Sequence, residues 1–67
     1  MQIMVSGERK EVRDGMNLQE LIALEETPLP KHVVVMVNDE IVEPEAFSAT
    51  ILFSGDTVEF LAFMGGG

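Results

Sequence analysis

The sequence predicts an α+β fold, a mixed sheet whose first and last strands run parallel and are joined through one crossover helix. Three observations carry that expectation. Strand-like runs stand near both ends, Ile3 to Val5 and Thr57 to Met64, and one segment, Leu18 to Glu25, spaces its apolar residues as a helix does. The connection between the end strands is long, as a parallel pair requires. At 67 residues the chain makes one small domain, below the ~70–80 residues at which a core usually supplies more than ~3–5 kcal/mol.

Each element has a local cause. Ile3 to Val5 and Lys10 to Val12 are expected as strands joined at Ser6-Gly7-Glu8, where Gly7 can take the positive φ of a tight hairpin turn. Asp14-Gly15 breaks the second strand. Asn17 followed three residues later by Glu20 is a capping-box variant. It starts a helix whose stripe is Leu18, Leu21 and Ile22, with Leu24 at the edge. Glu25 falls on that stripe and Thr27-Pro28 disfavours continuation, so two turns are expected. A helix that short is marginal alone and must lie on a sheet.

Val33 to Val37 is largely β-branched and leads through Asn38-Asp39, residues that tolerate left-handed geometry, into the short strand Ile41-Val42. Pro44-Glu45-Ala46-Phe47 has the form of one helical turn with proline first, and Phe47 is expected to dock inward. Ser54-Gly55-Asp56 opens the last strand. The order strand, strand, helix, strand, short strand, strand is that of the β-grasp, or ubiquitin-like, fold. Residues 1–64 are expected as the β-grasp domain and 65–67 as a flexible C-terminal glycine tail.

Composition excludes several function classes. With no cysteine there is no disulfide, thiolate zinc site, cysteine-ligated iron–sulfur cluster or cysteine nucleophile. One histidine, His32, makes a metal site unexpected, and no catalytic nucleophile, base and orienter can be assembled. The net charge of −8 with four Lys and Arg argues against nucleic acid or an anionic membrane as partner. A partner with a basic rim fits better. The apolar run Val33 to Val37 is far short of the ~20 residues that cross a bilayer, and no targeting segment is evident. A cytoplasmic protein is expected, with its acidic residues as solvated surface.

Side chains alternate along a strand. Val58, Phe60 and Ala62 are therefore expected on one face of the last strand, and Glu59, Leu61 and Phe63 on the other. By the same rule Ile3, Val5, Val33, Val35 and Val37 join the core, while Met4, Val34 and Met36 turn away. A single helix covers a single side, so Met4, Val34, Met36, Leu61 and Phe63 are the expected partner-binding patch.

The sequence then closes on Gly65-Gly66-Gly67. Three glycines are a poor device for stability, since each loses the most backbone freedom on ordering. They suit a tail that enters a channel too narrow for a substituted backbone. Each extended residue carries the terminal carboxylate about 3.3–3.6 Å further.

With these residues in place the chain resembles the ThiS family, the sulfur carriers of thiamine biosynthesis, and more distantly the molybdopterin-synthase small subunit and ubiquitin. The resemblance spans the chain. It rests on Met1-Gln2-Ile3, Asn17-Leu18-Gln19-Glu20-Leu21-Ile22, Val37-Asn38-Asp39-Glu40-Ile41-Val42, Gly55-Asp56-Thr57-Val58-Glu59 and the terminal glycines. It implies that Gly67 is adenylated, converted to a thiocarboxylate and used to donate sulfur, with Gly65 and Gly66 threading the tail. The implied partners are a ubiquitin-activating-type (ThiF-like) adenylyltransferase, a ThiG-like thiazole synthase and a sulfur donor such as a cysteine desulfurase. The carrier itself is expected to bind no cofactor. The activating enzyme would use ATP with magnesium, since this chain has no phosphate loop of the GxxxxGK type. A molybdopterin-type carrier, a ubiquitin-like protein modifier and a plain β-grasp interaction domain are the alternative readings.

Overall fold

The computed structural model describes residues 1–24 and 33–62, with Val33 and Ala62 described by backbone alone. The described strands are β1 (Gln2–Val5), β2 (Glu8–Glu11), β3 (Val33–Val37), β4 (Glu40–Val42) and β5 (Thr57–Ala62). Helix α1 (Leu18–Leu24) follows β2, and a 3-10 helix (Pro44–Ala49) follows β4. The sheet order is β2-β1-β5-β3-β4. β1 and β5 run parallel, with Met4 opposite Thr57 and Val5 opposite Val58. The remaining neighbours pair antiparallel. This is the β-grasp arrangement, and it makes β5 the central strand.

Both hairpins turn on two residues with positive φ, Ser6 (50°) with Gly7 (83°), and Asn38 (52°) with Asp39 (68°). Such a turn matches the right-handed twist of the flanking strands. It also returns the chain one residue sooner than the sequence reading expects. Glu8, placed there in the turn, pairs with Val5 and opens β2. Val12, placed there in the strand, lies just past β2 but still exchanges backbone hydrogen bonds with Met1 (2.8 and 2.7 Å). The Met1 ammonium sits 3.1 Å from an Asp14 carboxylate oxygen and 3.7 Å from Glu11. Its pKa is raised, first by the Asp14 hydrogen bond and despite some desolvation.

Asn38 explains why its turn tolerates a side chain. Its amide donates to Asp56 Oδ1 (2.9 Å), and its Oδ1 accepts from the Thr57 N–H (3.0 Å). The Asn38 backbone N–H meanwhile donates to Thr57 O (2.8 Å), so the β3–β4 turn is fastened to the start of β5. Asp39 has no such bond among the described residues and bears only the cost of left-handed geometry, about 1–2 kcal/mol for an ordinary L-residue. Glycine there would lose about 0.5–1 kcal/mol in backbone entropy. Asp39→Gly is therefore expected to raise stability by up to about 1 kcal/mol, read as a higher urea midpoint with unchanged slope.

The capping box forms in full. Asn17 Oδ1 accepts from the Glu20 N–H (2.8 Å), and Glu20 Oε1 accepts from the Asn17 N–H (3.0 Å), satisfying two helix-start donors at a typical worth of ~1 kcal/mol per cap. Arg13 pairs with the other Glu20 oxygen. Within the described residues α1 runs to Leu24, which is exposed, while Leu18 and Leu21 are buried. The expected last residue Glu25 and the stop at Thr27-Pro28 lie outside the described residues, as does His32.

The core holds Ile3, Val5, Leu18, Leu21, Val35 and Val58, with Val37, Phe47 and Phe60 packed against it half-buried, so strand alternation reads correctly at these positions. Two further buried residues, Met16 and Leu52, come from irregular segments. An isolated bridge joins Asn17 to Ile51, with Leu18 N–H donating to Thr50 O and Leu52 N–H to Met16 O (2.8 Å each). This short pairing carries the chain across the helix side of the sheet. β5 is described to Ala62. Phe63 and Met64, expected in the same strand, and the tail 65–67 lie outside the described residues.

Candidate functional site

β5 is hydrogen-bonded on both sides, to β1 and to β3, and the last described pair is Val33 with Ala62. Whatever follows Ala62 therefore leaves from the most firmly held strand of the sheet. The side chains of β5 that turn away from the core are Thr57, Glu59 and Leu61, because Val58 and Phe60 turn toward it.

Register then assembles the outer face. Leu61 stands opposite Val34, and Glu59 opposite Met36. Met36 in turn stands opposite Ile41 of β4. Val34, Met36, Leu61 and Ile41 thus form one apolar run across three strands, with Leu61 41% and Ile41 63% exposed. Val34 and Met36 are half-buried. Met4, also half-buried, stands opposite Thr57, so the polar pair Thr57 and Glu59 separates it from the rest. The residues of α1 and the 3-10 helix that reach the sheet belong to the core on the other face. Phe63, Gly65, Gly66 and Gly67 lie outside the described residues.

Ile41 is the member that sequence reasoning missed. The signal was available, since a two-residue turn at Asn38-Asp39 pairs Val37 with Glu40 and therefore Met36 with Ile41. Among the described residues there is no cluster of three metal-ligating side chains. None of their helices is long and apolar enough to cross a membrane.

A central strand leading to a triple-glycine end, on a five-stranded β-grasp sheet with one apolar outer face, defines a small ubiquitin-like protein. The sequence model of the ThiS family matches residues 2–67, and the chain belongs to that family. It is similar to the crystal structure of a thiamine biosynthesis protein (ThiS) from Geobacter metallireducens, at 40% identity and a TM-score of 0.87 over the whole of both chains. It is also similar to the NMR solution structure of a thiamine biosynthesis protein from the same organism. There the identity is 40% and the TM-score 0.75, over all of this chain and 88% of the other. No curated protein matches the chain.

Proposed function

We propose that this protein is the sulfur carrier of thiamine thiazole synthesis, with Gly67 as the terminal residue that bears the sulfur. The observation that carries the reading is membership of the ThiS family over residues 2–67, the glycines included. The β-grasp sheet supports it by presenting those glycines from its central strand.

An α-carboxylate has a reference pKa of about 3.3–3.7 and is ionised at neutral pH. It is a competent nucleophile toward phosphorus and a poor acyl electrophile. In the proposed sequence a Gly67 carboxylate oxygen attacks the α-phosphorus of ATP and pyrophosphate leaves, giving the acyl-adenylate. A sulfur nucleophile from the donor then adds at the carbonyl carbon and AMP leaves, so one oxygen is replaced by sulfur. The thiocarboxylate donates that sulfur to the thiazole synthase. The activating enzyme supplies magnesium, phosphate contacts and nucleophiles, and the carrier acts in the cytoplasm as substrate, not as catalyst. Glycine at 65, 66 and 67 places no Cβ in the channel. Extended from Ala62, five residues reach about 17 Å, enough to enter an active site while the body stays outside.

The test is intact-mass spectrometry after incubation with ATP, a cysteine desulfurase with cysteine, and the cognate activating enzyme. The mass gain of sulfur replacing oxygen, lost again when thiazole synthase and its substrates are added, is the expected result. Discharge onto lysine amines, or onto a molybdopterin precursor instead, overturns the thiamine assignment.

In this reading Val34, Met36 and Leu61, with Met4 and Phe63 and now Ile41, meet the activating enzyme. Leu61→Asp places a carboxylate in that apolar contact on an already acidic protein. It is expected to weaken binding to the enzyme by at least about tenfold, measured by calorimetry. Stability should change by no more than about 0.5 kcal/mol, because the site is partly exposed.

A further inference from the structure

A second surface lies at the opposite pole of the sheet. Asn38, Glu40, Val42, Ile51, Phe53 and Asp56 line a cleft of about 370 Å³ between the β3–β4 hairpin and the segment that leads into β5. Phe53 is 68% exposed, an unusual position for a phenylalanine with no cover, and Ile51 beside it is also exposed. Asp56 is fixed: Oδ1 accepts from Asn38 and Oδ2 from the Phe53 N–H (2.8 Å). Each carboxylate oxygen still has a lone pair to offer. Glu40, exposed, has no hydrogen-bond or ion-pair partner among the described residues.

Charge is distributed to match. From Val33 to Gly67 the sequence contains no Lys or Arg, while Asp39, Glu40, Glu43, Glu45 and Asp56 all fall near this end. Arg9, Lys10 and Arg13 stand on or just after β2, at the far edge of the sheet. A phosphate-bearing metabolite would meet two carboxylates and no cation. A planar cation on an apolar stem fits each part: the stem along Val42 and Ile51, the guanidinium over the Phe53 ring, and its N–H groups toward Asp56 and Glu40.

We propose that this cleft docks an arginine-bearing segment of a partner protein, at a site separate from the tail. Four residues of β5 lie between the Val58 end and the Ala62 end, about 13 Å of strand. A protein held at the cleft therefore leaves the departure point of the tail uncovered, so one partner can hold the body while another engages the glycines.

The test is a ¹⁵N NMR titration of the full chain with the peptide acetyl-Leu-Arg-Leu-amide, and with the same peptide carrying neutral citrulline in place of arginine. The expected result is saturable shifts at Asn38, Glu40, Ile51, Phe53 and Asp56, with dissociation constants near ~1 mM and at least about tenfold weaker binding of the citrulline peptide. Phe53→Ala and Glu40→Gln, both at exposed positions, should each weaken the arginine peptide about two- to fivefold. Equal response to the two peptides, shifts spread evenly over Glu11, Asp14 and the other surface acids, or no saturable shift at roughly 10 mM overturns the proposal. The same shifts appearing with protein concentration alone would identify a second copy as the occupant, and that also overturns it. None of these readings involves Gly67, so they stand or fall separately from the carrier assignment.

Discussion

Adding one alanine after Gly67 is expected to lower ATP-dependent pyrophosphate release by at least about 100-fold while leaving the melting temperature unchanged. Two separate effects act in the same direction. The extra residue moves the carboxylate about 3.3–3.6 Å beyond its natural reach, and misplacement of a reacting group by 1 Å can already cost ~10²-fold. The alanine Cβ also enters a channel that glycine alone would fit. The body should not register the change, because the last residue paired in the sheet is Ala62, opposite Val33. Removing Gly66 and Gly67 should have the same consequence by the opposite displacement. Full activation of the extended chain would show that the carboxylate is not the group delivered. A lowered melting temperature would show that the end of the chain belongs to the folded body.

The parts of this fold that were legible in the sequence are those fixed by near neighbours. Asn17 and Glu20 satisfy each other's backbone N–H groups across three positions, so the helix start needs no knowledge of the rest of the chain. Alternation in β1, β3 and β5 sorts Ile3, Val5, Val35 and Val58 from Met4, Val34, Met36 and Leu61, because the strand period is independent of what covers the sheet. From that sorting most of the candidate docking face follows. Ile41 escaped because β4 has three residues, too few to show a period. Its face is set by the turn geometry of Asn38 and Asp39 and not by its own neighbours. The cleft beside Phe53 escaped for a related reason: Phe53 and Asp56 are joined by local hydrogen bonds, but their approach to Asn38 depends on β3 pairing with β5. Met16 and Leu52 carried no periodic signal at all. They are buried because the Asn17–Ile51 bridge brings together two irregular segments far apart in the chain.

That last feature supports the second large effect, at Leu52. Leu52 is 1% exposed and belongs to the same buried cluster as Met16, Leu18 and Leu21. In Leu52→Ala the backbone bond from its N–H to Met16 O can persist, so the loss is confined to packing and the cavity left behind. Buried leucine-to-alanine changes cost about 2–5 kcal/mol. A chain of 67 residues has about 3–10 kcal/mol in total at the usual 0.05–0.15 kcal/mol per residue. The change is therefore expected to remove a third or more of the stability and lower the melting temperature by roughly 10–30 °C, at ~4–8 °C per kcal/mol for a domain of this size. Phe53→Ala, one residue along at a 68% exposed position, should cost no more than about 0.5 kcal/mol. Thermal and urea unfolding of the pair, followed by circular dichroism, separates burial from hydrophobicity. Leucine is the smaller side chain and is expected to show the larger loss, because only its methyl groups are withdrawn from water. If Leu52→Ala cost under 1 kcal/mol, the bridged segment would be a surface loop and the core would rest on the sheet and α1 alone.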